Sequence, residues 1–287
     1  MNIAISGASG FIGTYLTSFF QSKGYGVIPI TRTLLKDSLK LKQSLLVCEV
    51  VINLAGANIN RRWSKKYKKE ITESRIATTR TITCAIERLS IRPRLLISAS
   101  AVGFYAPGGC HDEYSGTKGE GFLSDLCMEW EESSRRVMPD VRVVNARFGV
   151  VLSKAGGAFP RIISGRKAGF TVIPGTGRQY LSWIDLADLA AAMEFIIKTP
   201  RLEGAVNFTA PCRMTYREFA KSLAHHYHTP FTLRIPAPVL KFFMGEAAGI
   251  LTESQCAEPA RLLAAGFTFR SPTLEAFLRS EAHRSFA

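Results

Sequence analysis

Three glycines near the start of the chain are spaced so that they could bind a phosphate group. Gly7, Gly10 and Gly13 follow the β-favouring run 2–6 at three-residue intervals. In such a turn the first glycine permits the tight bend, the second lets the backbone approach a pyrophosphate, and the third allows a helix to pack closely on a strand. Free N–H groups at the start of that helix then face the anion. This stretch predicts a dinucleotide site.

The next strand indicates which dinucleotide is bound. Apolar residues recur at helical spacing from Phe11 and Ile12 onward, and the run 27–30 then leads to Thr31 and Arg32. These two residues lie about 20 residues past the turn, where a dinucleotide fold selects its ribose. An acidic residue there would favour NAD, whereas Arg32 suits a 2′-phosphate and Thr31 adds a hydroxyl donor. The pair favours NADP, and an exposed arginine at a strand end is the alternative.

The elements that must position these residues alternate between strand and helix patterns. The third strand ends in a turn rich in small residues, 53–59, which includes Leu54, Ala55 and Gly56 and where a dinucleotide lies flat against the backbone. Hydroxyls at Ser98 and Ser100 stand at the end of the fourth strand. The alternation predicts an α/β fold with a doubly wound parallel sheet of the Rossmann type. The further predicted segments are strands 47–54, 94–98, 141–152 and 205–209, a loop over 107–121, helices 122–137 and 185–197, and an irregular segment 156–177.

The tail from residue 215 reads as mostly helical and predicts a smaller substrate lobe. We therefore divide the chain into a nucleotide-binding domain, 1–155 with 180–211, and a substrate-side lobe, 156–179 with 212–287. Asp185 and Asp188 are expected to cap a helix. The histidines at 225–228 and the run 110–113 are expected to be a solvated cluster and a loop, so no metal site is predicted.

The composition of the chain limits the classes of molecule that it is expected to bind. Hydrophobic residues are 46% and charged residues 21%, as in ordinary globular proteins. A formal charge of +14 favours anionic partners, but no nucleic-acid-binding signature is present. No apolar stretch approaches the roughly 18 residues that span a bilayer, so a cytoplasmic location without a membrane partner is expected. Six scattered cysteines without a C-x-x-C pair favour reduced thiols.

The basic run 61–69 has two interpretations. It is either a solvated helix face or a cluster that attracts phosphate groups near the mouth of the site.

The motifs together resemble those of the extended short-chain dehydrogenases/reductases, and more narrowly the atypical NAD(P)-dependent epimerase-like subfamily whose C-terminal segment is a domain of unknown function. Beside the glycine turn, the resemblance rests on the runs 53–59, 62–63, 74–75, 78–79, 121–123, 130–131, 177–179, 182–185, 259–262 and 266–269. It covers nearly the whole chain.

The resemblance implies roles for particular residues. Gly7, Gly10, Phe11, Ile12 and Gly13 would contact the pyrophosphate, and Thr31 and Arg32 the adenosine phosphate. The backbone of Leu54, Ala55 and Gly56 would lie alongside the cofactor. Glu70 and Arg75 would reach the cofactor from the following helix, and Val151 would touch its nicotinamide end. A surface ion pair between Glu70 and Arg75 is the alternative, although a spacing of five suits an intrahelical pair poorly.

Ordinary members of the family orient substrate with a serine or threonine and use a Tyr-x-x-x-Lys pair, in which the lysine lowers the pKa of the tyrosine, as general base. Tyr114 and Lys118 match this spacing, but they lie in a predicted loop rather than on one helix face. At the start of the following helix the chain offers Phe122 and Leu126, or Leu123 and Cys127. The usual base is therefore expected to be absent.

Three outcomes remain open. Tyr105, Tyr114, Lys118 or Glu131 could serve as an alternative acid or base on a carbonyl or sugar-nucleotide substrate, with Ser98 and Ser100 orienting it. The protein could instead be a catalytically silent NADPH-binding sensor or scaffold that acts through a protein partner, for example in cell division. A different chemistry is the third outcome. A monomer or homodimer with a small-molecule substrate, anionic in keeping with the charge, is expected.

Overall fold

The computed structural model describes residues 1–284, and residues 285–287, at the end of the predicted lobe, lie outside the described residues. Its central feature is a six-stranded parallel sheet in the order β10-β5-β4-β3-β1-β2. The strands are β1 (Asn2–Ser6), β2 (Gly26–Ile30), β3 (Val50–Asn53), β4 (Leu95–Ala101), β5 (Arg142–Phe148), β6 (Val150–Ser153), β7 (Gly156–Gly157), β8 (Phe170–Pro174), β9 (Trp183–Asp185), β10 (Gly204–Phe208) and β11 (Phe231–Ile235).

Helices cover both faces of this sheet. They are α1 (Phe11–Ser22), α2 (Arg32–Lys36), α3 (Ser38–Leu46), α4 (Lys65–Glu87), α5 (Phe122–Arg135), α6 (Phe159–Ile162), α7 (Leu186–Lys198), α8 (Tyr216–Tyr227), α9 (Ala237–Met244), α10 (Gly249–Thr252), α11 (Ala260–Ala264) and α12 (Leu274–Arg284). Short 3-10 helices occupy Val102–Phe104, Ser164–Ala168 and Gly245–Ala248. The predicted doubly wound α/β fold with a mostly helical C-terminal region is confirmed.

Successive side chains of β1 belong to two different apolar cores, one on each face of the sheet. Ile3 and Ile5 of β1 belong to the core under α1 and α7, whereas Ala4 belongs to the core under α3 and α4. Successive side chains of a strand point to opposite faces, so a strand covered on both faces must be apolar throughout.

A buried row of polar side chains crosses four strands on the face covered by α4 and α5. Ser6, Asn53, Ser98 and Asn145 stand in register on neighbouring strands, and all are fully buried. Ser6 donates to Asn53 Oδ1, and Asn53 in turn donates to Thr79 of α4. Ser134 of α5 donates to Asn145. These bonds fix both helices over the carboxyl ends of the strands.

The predicted strand over 141–152 is in fact two strands. The chain passes close to another backbone at Gly149, where an added Cβ would lie 2.8 Å from the carbonyl oxygen of Ser182. Gly149 N–H donates to Phe208, and Val150 N–H donates to Ser182. The chain therefore leaves the main sheet at Gly149 and joins β9 and β7 in a three-stranded sheet. A change of strand partner leaves no mark in the local apolar pattern.

The segment 156–177 is more regular than predicted, since it contains β7, α6 and β8. Strand β8 pairs in parallel with β11, which is contributed by the tail. The two strands are separated by a long stretch of chain, so local sequence could not reveal the pairing. Helices α6, α8 and α12 pack with β6 and β9 in a separate apolar cluster that includes Phe159, Trp183 and Phe277.

Two long-range contacts correct the sequence expectations. Asp185 caps α7 as predicted, but Asp188 accepts hydrogen bonds from the backbone N–H groups of Arg270 and Ser271 and so binds the C-terminal segment. Cys110 and Cys256 form a disulfide with a Cα–Cα distance of 4.5 Å, so the expectation that all six cysteines are reduced is wrong for this pair. Because 146 residues separate the two, their spacing carries no signal.

Within residues 1–284, the helices are too short or too polar to cross a bilayer.

Candidate functional site

The glycine turn between β1 and α1 has little room for side chains. Gly7 has a φ of +74°, and a Cβ there would lie 3.0 Å from the carbonyl carbon of Leu54. A Cβ on Gly13 would lie 2.1 Å from the carbonyl oxygen of Gly7. Gly10 is the N-cap of α1 and contributes no side-chain bond, which leaves N–H groups of the first helical turn for an anion. The turn therefore fits the pyrophosphate of a dinucleotide.

Phe11 and Ile12 anchor the start of α1. The ring of Phe11 packs against β7, where an added Cβ on Gly156 or Gly157 would come within 2.7 Å of it, and Ile12 packs on the core beneath the helix. Their side chains therefore hold the helix in place, so that contact with the pyrophosphate would come from their backbone.

Thr31 and Arg32 lie at the same sheet edge as the glycine turn, because β1 and β2 are parallel neighbours. Thr31 is the N-cap of α2 and accepts a hydrogen bond of 3.1 Å from Leu34 N–H. Its hydroxyl proton remains available to a ligand, since a hydroxyl both donates and accepts. Arg32 is exposed at the first position of α2. This placement is compatible with the predicted phosphate contact.

Arg75 of α4 supports the loop that follows β3. Its guanidinium donates to the carbonyl of Ala57 at 3.0 Å and lies 5.2 Å from the ring of Trp130. Gly56 is needed here, because a Cβ would lie 2.9 Å from the Arg75 guanidinium carbon. Burial lowers the pKa of Arg75. Arg75 thus positions the loop carrying Leu54 and Ala55, whereas Glu70 is exposed on α4.

A second polar row lies two residues further along three strands, on the same face as the first. Ser100 of β4 is in register with Arg147 of β5, and Arg147 with Asn207 of β10. Glu131 of α5 and Tyr105 join this row. Ser100 donates to Glu131 at 2.8 Å, and Tyr105 donates to Asn207 at 2.9 Å. Residues from four elements, together with Tyr105 just after the 3-10 helix Val102–Phe104, thus converge at the carboxyl edge of the sheet.

The Glu131–Arg147 ion pair is the centre of this cluster. Two hydrogen bonds of 2.7 and 2.9 Å join the side chains, which are 1% and 6% exposed. The Arg147 guanidinium also lies 3.6 Å from the ring centre of Phe104 and 4.9 Å from that of Tyr105. Burial opposes the charge on Arg147, but the hydrogen bonds and charge of Glu131 outweigh it and raise the pKa of Arg147.

The predicted acid and base candidates differ in their surroundings. Tyr105 is 2% exposed and stacks on His111, and burial raises its pKa although Arg147 opposes this. Tyr114 is 69% exposed in the loop, and Lys118 pairs with Asp125 at 2.6 Å. Tyr114 and Lys118 therefore do not share a helix face, as the loop pattern predicted.

Helix α5 brings Leu123 and Cys127 to the site. Leu123 packs against Gly103, just after β4, and Cys127 contacts Ser100 and the backbone of Ala101. Burial raises the pKa of the Cys127 thiol to about 12, with Glu131 adding to the shift. A neutral thiol cannot supply the positive charge that a lysine would bring beside a tyrosine.

Ser98 and Ser100 are enclosed. Ser98 is fully buried, and its hydroxyl has no hydrogen-bond partner among residues 1–284, whereas Ser100 is 2% exposed and bonded to Glu131. Val151 is half-buried in β6, in register with Ile184 of β9. The roles expected of these residues toward substrate and nicotinamide stay predictions.

The sequence reasoning missed Asn207 and did not join Arg147 to Glu131. A usable signal existed, since polar residues stand two apart at the ends of otherwise apolar strands, at 98 and 100 and at 145 and 147. Such spacing places both side chains of each pair on one face.

A six-stranded parallel sheet with a glycine turn after its first strand defines a Rossmann-like nucleotide-binding protein. The sequence model of the NAD dependent epimerase/dehydratase family matches residues 3–207, and that of a domain of unknown function, DUF1731, matches residues 235–281. The chain belongs to the NAD dependent epimerase/dehydratase family, and the predicted resemblance is confirmed.

Relatives match along nearly their whole length. Epimerase family protein Mb2239 of Mycobacterium bovis is 36% identical over 289 residues, which cover 95% of this chain and 94% of the relative. Epimerase family protein YfhF of Bacillus subtilis is 35% identical over 293 residues, with 96% of each chain covered. The crystal structure of human epimerase family protein SDR39U1 with NADPH has a TM-score of 0.91 and 31% identity and covers 99% of both chains.

Proposed function

We propose that this chain binds NADP(H) in the glycine turn and acts as an epimerase-like oxidoreductase on a carbonyl or sugar-nucleotide substrate. The observation that carries the proposal is the shape of the glycine turn. Gly7 and Gly13 lie where side chains would collide with neighbouring backbone, and the exposed Arg32 follows the adjacent strand. The human relative whose structure contains NADPH supports the choice of cofactor.

Particular residues would hold the cofactor. N–H groups at the start of α1 would bind the pyrophosphate, Arg32 and Thr31 the 2′-phosphate, and the backbone of 54–56 would lie beside the cofactor. When bound, the nicotinamide would supply or accept a hydride.

Proton transfer in this chain needs a group other than the usual pair of a tyrosine and a lysine. Ser100 already donates a hydrogen bond to Glu131, so a substrate hydroxyl that reaches Ser100 Oγ could give up its proton there as the Ser100 proton moves to the carboxylate. That proton would have to leave Glu131 again within the reaction cycle, because the buried Arg147 guanidinium needs the negative charge beside it. Arg147 would hold Glu131 in position for this relay. Tyr114 and Lys118 are less suited because the loop does not bring them together.

A second function is favoured by Leu123 and Cys127. An apolar side chain and a neutral thiol lie next to Gly103 and Ser100, where other members need a base. A protein that binds NADPH without turning it over, and acts through a protein partner in a process such as cell division, would have no need of that base.

Cofactor choice is tested by calorimetry with NADPH and NADH. Arg32→Ala should weaken NADPH binding about 10- to 100-fold, since it removes a charge-assisted contact, and should change NADH binding little. Arg279→Ala, at another exposed helical arginine, is the matched control and should change neither. An unchanged preference in Arg32→Ala would contradict the phosphate contact.

Turnover is tested separately. NADPH absorbance is followed with a panel of carbonyl compounds, and epimerisation of a panel of sugar nucleotides, which leaves the cofactor unchanged overall, is followed by NMR, using wild type and Ser100→Ala. Loss of turnover in Ser100→Ala with unchanged NADPH affinity would support the relay. NADPH binding without turnover of any panel member would favour the silent regulator, and unchanged turnover in Ser100→Ala would contradict the relay.

A further inference from the structure

Strand β11 and helix α9 expose a run of apolar side chains, which we call the apolar strip. Phe242 and Phe243 are 74% and 70% exposed, and Val239, one turn earlier on the same helix face, is 42% exposed. Phe231 and Leu233 of β11 are 69% and 51% exposed. Exposed apolar side chains are normally scattered singly, so five within thirteen residues of sequence is unusual. The exposed rings of Phe242 and Phe243 also contact each other, with ring centres 5.2 Å apart.

The basic run 61–69 lies beside the carboxyl end of α9. Gly245, which follows α9, packs against Arg62, whose Cγ would be 3.5 Å from an added Cβ. Lys68 forms an ion pair with Glu246. The apolar strip therefore adjoins a cationic surface. Its exposed basic residues are Arg61, Arg62, Lys65, Lys66, Lys69 and Lys241.

Acidic side chains neutralise only part of this charge. Glu246 pairs with Lys68, and Glu73 lies 3.6 Å from Lys69, while Glu70 is a third carboxylate on the same helix. A surplus of positive charge remains around exposed aromatic rings. A second copy of this chain would bring like charges together, so charge complementarity favours an anionic partner.

The combination of phenylalanine and basic residues fits a lipid surface. Aromatic and aliphatic side chains can enter the boundary between headgroups and acyl chains while lysine and arginine stay at the level of the phosphates. Short helices that carry such residues attach proteins to one leaflet without crossing it.

We propose that the apolar strip and the basic run together form a peripheral docking surface for membranes that contain anionic phospholipid. Phe242 and Phe243 insert below the headgroups, and residues of the basic run bind the lipid phosphates. This proposal departs from the expectation from sequence that no membrane partner is involved, and it assigns the basic run a role other than a merely solvated helix face. The proposal does not depend on the identity of the cofactor or on turnover.

Vesicle flotation of the full chain tests the proposal, with vesicles of phosphatidylcholine alone or mixed with phosphatidylserine. Wild type should float with the mixed vesicles only, and less so as salt rises. Phe242→Ser with Phe243→Ser should reduce the partition coefficient by about tenfold or more. Lys65→Gln with Lys66→Gln should reduce it about fivefold per residue.

Matched variants control for surface composition. Leu39→Ser with Ile91→Ser removes two side chains that are 72% and 71% exposed elsewhere, and it should float like wild type. Lys221→Gln with Arg279→Gln removes two basic groups that line a groove between α8 and α12 and should have a smaller effect than the Lys65 and Lys66 pair. Thermal unfolding of every variant shows that a lost signal does not reflect a lost fold.

Several results would overturn the proposal. One is absence of wild-type flotation with phosphatidylserine, and another is unaltered flotation of the double phenylalanine variant. Sedimentation that shows a dimer, converted to a monomer by the serine pair without a change in flotation, would make the strip an interface between copies. Retention on polyglutamate without vesicle binding would assign it to an acidic protein partner.

Discussion

Two regions of the same sheet edge are built in different ways. Around β1 and β2 the site consists of backbone, with Gly7 and Gly13 pressed against neighbouring carbonyl groups and Arg32 exposed beside them. Around β4, β5 and β10 it consists of side chains, with Glu131 and Arg147 paired away from water. The first region is short in sequence, whereas the second is assembled from residues between Ser100 and Asn207.

The difference shows how each region tolerates change. A glycine turn is constrained by sterics, so its function depends on having no side-chain atoms at the glycine positions. A buried ion pair is constrained by charge, because loss of either partner leaves the other without compensation in a medium of low polarity. The glycine turn should therefore respond to added volume and the region around the ion pair to altered charge.

The largest expected effect comes from Glu131→Gln. This nearly isosteric change leaves the Arg147 guanidinium buried without its anion, and we expect the free energy of unfolding to fall by about 3–5 kcal/mol. Urea denaturation measures the loss. Replacing both residues, with Glu131→Leu and Arg147→Met, should recover much of it, because an apolar pair of similar volume carries no desolvation penalty.

Glu87→Gln is the matched control for charge removal. Glu87 lies 3.9 Å from Arg136 at the surface, and such exposed pairs contribute at most about 1 kcal/mol. If Glu131→Gln cost no more than Glu87→Gln, the second region would not depend on its ion pair, and the contrast with the glycine turn would fail.

The next effect is Gly13→Ala. A methyl group 2.1 Å from the Gly7 carbonyl oxygen must push α1 away from the turn, at a cost of about 1–3 kcal/mol in stability. Because the N–H groups at the start of α1 move with it, NADPH affinity should fall by about tenfold or more. Calorimetry and urea denaturation of the same preparation separate the two effects.

Gly24→Ala serves as the control for backbone conformation. Gly24 has a φ of +80° with no atom within 4 Å of an added Cβ, so the change costs about 1–2 kcal/mol of strain without a collision. NADPH affinity should be retained. Equal losses of affinity in the two variants would mean that general destabilisation, rather than the geometry of the turn, controls binding.

The same contrast explains how far the sequence could be interpreted. Gly7, Gly10 and Gly13 act through contacts within a few residues or with the adjacent strand, and the alternation of strands and helices is a local property, so the fold and the cofactor turn could be predicted. Tyr114 and Lys118 matched a spacing, and their place in a loop, ahead of the helix where the family resemblance implies the pair, argued against them.

Contacts between distant segments could not be predicted. The pairing of β8 with β11 and the Cys110–Cys256 disulfide depend on how the tail folds back on the domain. The same is true of Asp188 and the backbone at Arg270 and Ser271, because no spacing rule links residues so far apart.

The smallest expected effect is that of Tyr105→Phe, which distinguishes a structural tyrosine from a catalytic one. Tyr105→Phe removes one hydrogen bond to Asn207, so the free energy of unfolding at neutral pH should fall by about 1 kcal/mol. Burial raises the pKa of Tyr105 above its ordinary value of 10.0, although Arg147 opposes this, so the unfolded chain ionises first as pH rises. Stability should therefore be lost progressively above pH 10, and Tyr105→Phe should reduce that loss.

Urea denaturation at neutral and alkaline pH measures both quantities. Tyr114→Phe is the control, since Tyr114 is 69% exposed and should change neither value. A general base would need the opposite shift, with the folded protein ionising before the unfolded chain and gaining stability as pH rises. A steeper alkaline loss of stability in Tyr105→Phe than in wild type would show such a lowered pKa. Tyr105 would then become the leading candidate for the base in place of the Ser100–Glu131 relay.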